Sequence, residues 1–500
     1  MSLLRSRGLK VTLDQIVQIE ENYNHLRKTK IVCTLGPACW DVDKLVDMID
    51  AGMDVCRFNF SHGDHKSHTQ TLNNLKQAMK QRPNKKIALM YDTKGPEIRT
   101  GYFKEGVKSI TLKKNNKLRV TTDYSFRGDE NCIACTYKGL PTSVKVGQNI
   151  MIADGSLMLE IVALGENYVD TIIMNDATIG ETKNMNLPGV KVDLPVCGER
   201  EINDIINFAI PNAIHSIAVS FVQCAQDVIA VREVYKKNCM DVLIIPKIEN
   251  LEGVLNIDEI IAVSDGIMVA RGDLGMEIPL EKVFLAQKLM IEKCNLAGKF
   301  VIVATQLLES MIKAPRPTRA EISDVANAVL DGTDLVMLSG ESANGLFPTR
   351  AVDYLSRAAY EAEKCCDYVR LFNDMLESKA IKNPTEAICA NAVRLAYDIQ
   401  AEGFIVFTES GIAAKLLSKF RPAQAIIAYT NCEYTANSLM YYRCVQPSVF
   451  EFKDKKSDIK AAIKIAQEQN LIPTKGSVIV LYSLDKTAPE EMSIMEVVDL

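Results

Sequence analysis

"LIIPKIENLEG", residues 243–253, is an apolar run that ends abruptly in Lys247, Glu249 and Glu252. Alternate side chains of a strand share a face, so a strand here sets Lys247 and Glu249 side by side at its end. An ammonium beside a carboxylate reads either as a plain salt bridge or as an electrophile next to a metal ligand. Taken alone, the salt bridge is the simpler reading.

The run belongs to a series. Eight short, β-branched stretches end in polar residues: "KIVCTLG" (30–36), "DVCRFNFS" (54–61), "IALMYDTKG" (87–95), "SIAVSFV" (216–222), "DVLIIPKIEN" (241–250), "DGIMVARGD" (265–273), "FVIVATQ" (300–306) and "DLVMLSGES" (334–342). Amphipathic stretches such as "DVDKLVDMIDA" and "AQDVIAVREVYKKN" separate most of them. Strands buried on both faces and alternating with helices imply a parallel sheet. Eight such units predict a (β/α)8 TIM barrel over 28–95 and 195–365.

One gap breaks the rhythm. The insert 96–194 carries short alternating strands ("SITLKKNNKLRV", "SLMLEIVALGENYVDTIIM") and turn residues. It reads as a small all-β domain on the third βα loop, with Gly- and Pro-bearing flanks ("KGPEIRTG", "LPGVKVDLPV") suited to a hinged lid. A rigid appendage is the alternative. Residues 366–500 resume the alternation as a C-terminal α/β domain, with strands in "GFIVFTES", "AIIAYTN", "PSVFEF", "SVIVLYS" and "MEVVDL". Residues 1–27 read as an N-terminal helical segment.

Composition narrows the function. A chain of 500 residues exceeds one core, so several domains are expected. A net charge of −5 gives no reason to expect nucleic acid or an anionic membrane as partner, though a basic cleft is compatible with it. The 14 cysteines are scattered, and the Cys132/Cys135 pair lacks the further ligands of a zinc site. They read as buried thiols in a reducing compartment. No apolar run is long enough to span a bilayer. The basic start "MSLLRSRGLKVTLDQ" is short for a transit peptide, which leaves the cytoplasm as the expected location.

In a TIM barrel the C-terminal strand ends surround one pocket. Here those ends offer Arg57, Asn59, Ser61 and His62, then Asp92, Thr93 and Lys94, then Lys247 and Glu249. Arg271 and Asp273, Thr305 and Gln306, and Ser339 and Glu341 follow. The set suggests phosphoryl transfer at a metal. Glu249 and Asp273 are hard oxygen ligands suited to Mg2+. Asn59, Ser61, Asp92 and Thr93 carry one charge among them and suit a larger monovalent cation. Arg57 and Arg99 suit phosphate. Lys247 suits charge developing on an oxygen, and "ARGDLG" reads as a helix start able to meet a carboxylate. Each element also has a plainer reading: Lys247–Glu249 and Arg271–Asp273 as structural pairs, Thr305 as a cap for "QLLESM", the histidines of "HGDHKSH" as solvated. Only the combination outweighs these.

At these residues the sequence resembles the pyruvate kinase family. "LIIPKIENLEGV" matches that family's active-site signature, and "RFNFSHG", "DTKGPEIRTG", "MVARGDLG", "ATQLLESM", "APRPTRAE" and "VMLSGE" match its other motifs. The resemblance covers nearly the whole chain. It implies transfer of the phosphoryl group of phosphoenolpyruvate to ADP, giving pyruvate and ATP, with Mg2+ (Mn2+ as a substitute) and K+ as cofactors. Lys247 would stabilise the enolate, Glu249 and Asp273 would hold Mg2+, and Asn59, Ser61, Asp92 and Thr93 would hold K+. Gly272, Asp273, Thr305 and Arg57 would bind phosphoenolpyruvate. Asn59, His62, Arg57, Arg99 and Lys183 would meet the nucleotide. Thr305, through water, or Ser339 would help protonate the enolpyruvate. Glu97 in "GPEIRTG" accompanies potassium dependence in the family. A homotetramer is the expected assembly.

The C-terminal domain departs from the family's regulatory pattern. "TESGIAAKLL" keeps Ser410 and Gly411 but then places Ile412, Ala413 and Ala414. "YSLDKTAPEE" lacks tryptophan and arginine and carries Asp485, Glu490 and Glu491. Fructose 1,6-bisphosphate is therefore not expected to be a strong activator. Lys415, Lys419 and Arg421 read as a solvated helix face, with a monophosphate site as the weaker alternative. Two other functions stay open: a Mg2+-dependent barrel lyase acting on pyruvate-like acids, and a silent binding or scaffold protein.

Overall fold

The computed structural model describes residues 11–12, 16, 26–482 and 494–500. The helical segment expected over 1–27 and the "YSLDKTAPEE" loop lie almost wholly outside them. In chain order the strands are β1 (Lys30–Thr34), β2 (Val55–Asn59), β3 (Ala88–Asp92), β4 (Ser109–Leu112), β5 (Lys117–Thr121), β6 (Cys132–Ala134) and β7 (Asn149–Ile152). There follow β8 (Leu157–Leu164), β9 (Tyr168–Ile173), β10 (Ala177–Gly180), β11 (Met185–Asn186), β12 (Ser216–Val219), β13 (Leu243–Ile248) and β14 (Gly266–Ala270). The last are β15 (Phe300–Ala304), β16 (Leu335–Leu338), β17 (Gly403–Phe407), β18 (Ala425–Thr430), β19 (Val445–Val449), β20 (Ser477–Tyr482) and β21 (Ile494–Asp499).

Each of the eight expected runs contains one barrel strand. They close in the order β1-β16-β15-β14-β13-β12-β3-β2, with neighbours parallel. Alternation decides which side chains enter the barrel. On β15, Phe300, Ile302 and Ala304 join the inner cluster, while Val301 and Val303 pack outward with the helices. On β13, Leu243 and Ile245 point inward, so the same parity carries Lys247 and then Glu249 inward. Val55 sets the parity of Arg57 and Asn59, Met90 that of Asp92, and Ala218 that of Ser220.

The inner cluster is continuous with the core of the C-terminal unit. Phe300 lies 5.2 Å from Tyr441, and the Ser216 and Tyr441 hydroxyls hydrogen-bond at 2.5 Å. Phe300 and Ser216 stand at the N-terminal ends of their strands, so the C-terminal unit plugs that end of the barrel. The charged ends of the strands are left at the other. The C-terminal sheet runs β19-β18-β17-β20-β21, parallel except for its last strand. The insert forms a six-stranded sheet, β11-β7-β8-β9-β5-β6, and a two-stranded ribbon, β10-β4, around a core of its own. Four of its eight strands (β6, β7, β10 and β11) lie outside the stretches read as strands from the sequence.

Three sequence expectations are corrected. The Lys415–Arg421 stretch is not a solvated face. Lys419 is buried with its ammonium 3.0 Å from Glu386, and Arg421 is buried against Asp334 at 3.0 Å. Helix periodicity alone does not show that the barrel packs on this side. His65 and His68 are not free in solvent either: His65 meets Asp204 at 2.5 Å, and His68 stacks on Phe60 with ring centroids 4.2 Å apart. Asp204 is remote in sequence, which hid it. Thr305 caps no helix; residues 305–308 are irregular and only Glu309–Ile312 form a 3-10 turn.

Candidate functional site

Five charged side chains meet at the open end of the barrel. Arg57 donates through Nε to Asp92 Oδ2 at 2.6 Å and through Nη1 to Thr34 Oγ1 at 2.9 Å. Lys247 Nζ lies 3.2 Å from Asp92 Oδ1, 3.1 Å from Glu249 Oε1 and 2.9 Å from Ser220 Oγ. Glu249 Oε2 accepts the backbone N–H of Phe221 at 2.7 Å. The opening ambiguity has a double answer: Lys247–Glu249 is a real ion pair, and it is one part of a larger set.

Electrostatics bind the set together. Burial alone would raise the Asp92 carboxyl, but Arg57 and Lys247 more than offset this and hold it below the ordinary range. Burial would likewise lower the Lys247 ammonium, yet Asp92 and Glu249 hold it above its ordinary value, so it stays charged. Asp273 moves the other way. Its carboxyl is raised by burial and by the nearby Glu249 charge, with Lys247 offsetting only part. Three carboxylates thus face two cations.

Asp273 stands in the first turn of the helix Arg271–Glu277, directly after β14. Arg271 does not pair with it. The guanidinium forks onto Asp324 with both bonds at 2.7 Å and donates to Thr305 O at 2.7 Å, which fixes the loop after β15. That loop is strained: Thr305 and Gln306 have φ of 77° and 56°, rare for any residue but glycine and costlier for a β-branched one. Gly272 packs against it so closely that a Cβ there would lie 2.9 Å from Thr305 Cγ2. Fully buried Glu341 braces the same region, accepting the N–H groups of Leu308 at 3.1 Å and Ser339 at 2.8 Å. Glu341 is therefore a support, and Ser339 is held beside it.

Asn59 and Asp92 are register partners across β2 and β3. The Asn59 side-chain oxygen accepts from Ser61 N at 3.1 Å, and Thr93 Oγ1 accepts from Ser220 N at 3.0 Å. The four oxygen-bearing residues expected around a monovalent cation are thus neighbours at one edge of the site.

Beyond this set opens a cleft of about 490 Å3 between barrel and insert, lined among others by His62, Arg99, Lys183, Asp273 and Glu277. Arg99 pairs with Glu97 at 2.5 Å and donates to Thr182 O at 2.8 Å. Thr100 and Lys183 exchange two further bonds, so the outgoing and returning strands of the insert are stitched together at the cleft. Lys94 also sits near the cleft, its ammonium lowered by burial and by Arg200 and Arg99. Sequence reasoning missed Ser220, Phe221 and Glu277. The second serine of "SIAVSFV", just past β12, was the available signal for Ser220; Phe221 meets Glu249 through its backbone N–H.

Among the described residues, no three His, Cys, Asp or Glu side chains gather as a metal cage. Two carboxylates, one raised by burial and by its neighbour's charge, instead suit a divalent ion that keeps water and substrate oxygens as its other ligands.

A TIM barrel whose open end gathers three carboxylates, a charged lysine and an arginine beside a cleft shared with the insert fits the phosphotransferase class. Comparison sharpens this. Residues 26–352 match the family description "Pyruvate kinase, barrel domain", and residues 386–498 match "Pyruvate kinase, alpha/beta domain". The pyruvate kinase of Eimeria tenella is 51% identical, over 99% of this chain and 94% of its own. A cytosolic isozyme of Glycine max is 44% identical over 97% and 99%. A Cryptosporidium parvum pyruvate kinase structure superposes with a TM-score of 0.93 at 47% identity, covering 98% of this chain and all of its own. Another from that organism, solved with ADP, gives 0.87 at 46% identity, over 97% and 98%. This chain belongs to the pyruvate kinase family. It is a phosphotransferase whose reaction moves the phosphoryl group of phosphoenolpyruvate to ADP.

Proposed function

We propose that the barrel-mouth residues divide the work of this reaction as their surroundings suggest. The observation that carries the reading is the charge imbalance: Asp92, Glu249 and Asp273 against Arg57 and Lys247, with Asp273 raised. Such a set calls for a further cation. Glu249 and Asp273 would hold Mg2+ or Mn2+, and Asn59, Ser61, Asp92 and Thr93 would hold K+. Bound there, the divalent ion supplies positive charge to the oxygens of the phosphoryl group and of the substrate carboxylate.

The chain's own groups do the rest by positioning and charge neutralisation. Arg57 grips the phosphate of phosphoenolpyruvate. Gly272, whose backbone is free of any Cβ, and Thr305 orient its carboxylate end. Lys247 neutralises charge growing on the enolate oxygen and on the phosphoryl group in flight. Asn59, His62, Arg99 and Lys183 meet the nucleotide, with Arg99 exchanging Glu97 for phosphate. Thr305, through water, or Ser339 delivers the proton that turns enolpyruvate into pyruvate. The insert, 96–194, acts as a lid that keeps water from taking the phosphoryl group.

Further support bears on assembly and location. Leu280, Phe284, Leu285 and Leu289 form an exposed apolar stripe beside the barrel, the kind of surface a second copy covers, and the assembly is read as a homotetramer. Among the described residues no helix is long and apolar enough to cross a membrane, and relatives named as cytosolic isozymes support a cytoplasmic enzyme. The test is a lactate dehydrogenase-coupled assay with phosphoenolpyruvate, ADP, Mg2+ and K+, together with Mn2+ titration of Asp273→Asn. Turnover that needs ADP, and Mn2+ affinity lowered at least about 10-fold in the variant, are expected. Product formation without ADP would favour a lyase instead.

A further inference from the structure

The helix Arg271–Glu277 is only two turns long, yet both of its ends have partners in different parts of the molecule. Its first turn bears Gly272 and Asp273. Its last bears Met276 and Glu277, which reach the lid. Glu277 Oε1 lies 3.5 Å from Asn186 Nδ2, and its carboxyl, raised by burial, is drawn partly back down by Asn186 and by the neighbouring backbone N–H groups of Gly189 and Leu187. Beside it, Met276 runs under Gly155, where a Cβ would come within 3.3 Å of its sulfur. Asn186 belongs to β11, which pairs with β7 of the lid sheet (Asn186 with Met151). Lys183 stands three residues earlier on the same returning segment, tied to Thr100.

A buried carboxylate facing the donors of one short stretch holds that stretch in place, because sliding would leave it without polar partners. We infer that Glu277 is a positioning residue: it clamps lid residues 186–189 to the helix that carries Asp273, so that Lys183 and Asp273 face one another across the cleft in a fixed register. The inference rests on the reading that Lys183 meets the nucleotide while Asp273 serves the other substrate and its ion. The clamp works on the nucleotide side of the site, because phosphoenolpyruvate needs only barrel residues.

Glu277→Ala should raise the KM for ADP about 10-fold and lower kcat, while phosphoenolpyruvate affinity measured without ADP stays within about twofold. Glu277→Gln, which keeps one acceptor oxygen, should restore most of the ADP affinity. Amide exchange at 186–190 should quicken in Glu277→Ala with the barrel strands unchanged. Asn186→Leu probes the contact from the lid side, should the glutamate variants fail to fold, and should show a smaller rise in the ADP KM. An unchanged ADP KM overturns the clamp, as does equal weakening of both substrates with faster exchange throughout the barrel. If Lys183→Met leaves the ADP KM unmoved while Glu277→Ala raises it, the clamp stands and the lysine's role falls.

Discussion

At the open end of the barrel, buried Lys247 shares its surroundings with Asp92 and Glu249. At the seam with the C-terminal unit, buried Arg421 meets Asp334 and Lys419 meets Glu386. Both regions take cations out of water and pair them. They differ in balance and access. The seam matches one cation to one anion in each pair. The barrel end has one carboxylate too many and opens on a cleft. A balanced buried set works as a strut; an unbalanced one beside a cleft is set up to receive something.

The sharpest way to break this comparison is to remove one cation from each region. On the role proposed for Lys247, Lys247→Met should cost at least about 10³-fold in kcat with the fold intact by circular dichroism, because the lost charge would act where negative charge develops. Arg421→Leu should do the reverse. Leaving Asp334 buried and unpaired should cost about 3–5 kcal/mol in denaturant unfolding, with kcat little changed.

A third buried group extends the comparison to pH. His215 sits where the barrel meets the C-terminal unit; its Nδ1 accepts from Leu89 N at 2.9 Å and its ring lies 4.9 Å from Tyr434. Burial pushes its pKa down to about 4, against an ordinary 6.5. The unfolded chain therefore binds the extra proton between those values, so stability is full above pH 6.5 and falls as pH drops toward 4. The loss should reach about 3 kcal/mol and be absent in a folded His215→Gln variant, read from unfolding midpoints across pH. The smallest effect is expected at the C-terminal effector loop. Adding fructose 1,6-bisphosphate should change the half-saturating phosphoenolpyruvate concentration by less than about twofold, because Ile412, Ala413 and Ala414 offer a phosphate no side-chain donors.

The sequence made the barrel legible because each strand is an unbroken apolar run closed by chemistry, and strand parity then carried Arg57, Asp92, Lys247 and Glu249 to one side. What it could not show were partnerships between distant segments. Arg271 beside Asp273 in "ARGDLG" looked like a pair, but Arg271 turns to Asp324, 53 residues away. Lys419 and Arg421 carried the composition of a wet helix face, but Arg421 meets Asp334 of the barrel and Lys419 meets Glu386 on another helix of its own unit. Glu277 lies two residues past the end of "MVARGDLG". Its neighbour Asn186 in the insert is nearly a hundred residues upstream, a distance that hides the contact in the sequence.

The loop after β15 carries a longer consequence. Two consecutive residues, one of them β-branched, hold a left-handed backbone at a stored cost of about 1–3 kcal/mol each. With Thr305 in its proposed role, a change that let Thr305 and Gln306 relax would give a hardier protein and a slower catalyst. Heat tolerance and turnover therefore pull on the same two peptide units in opposite directions, and lineages or engineers seeking one will trade away some of the other there first.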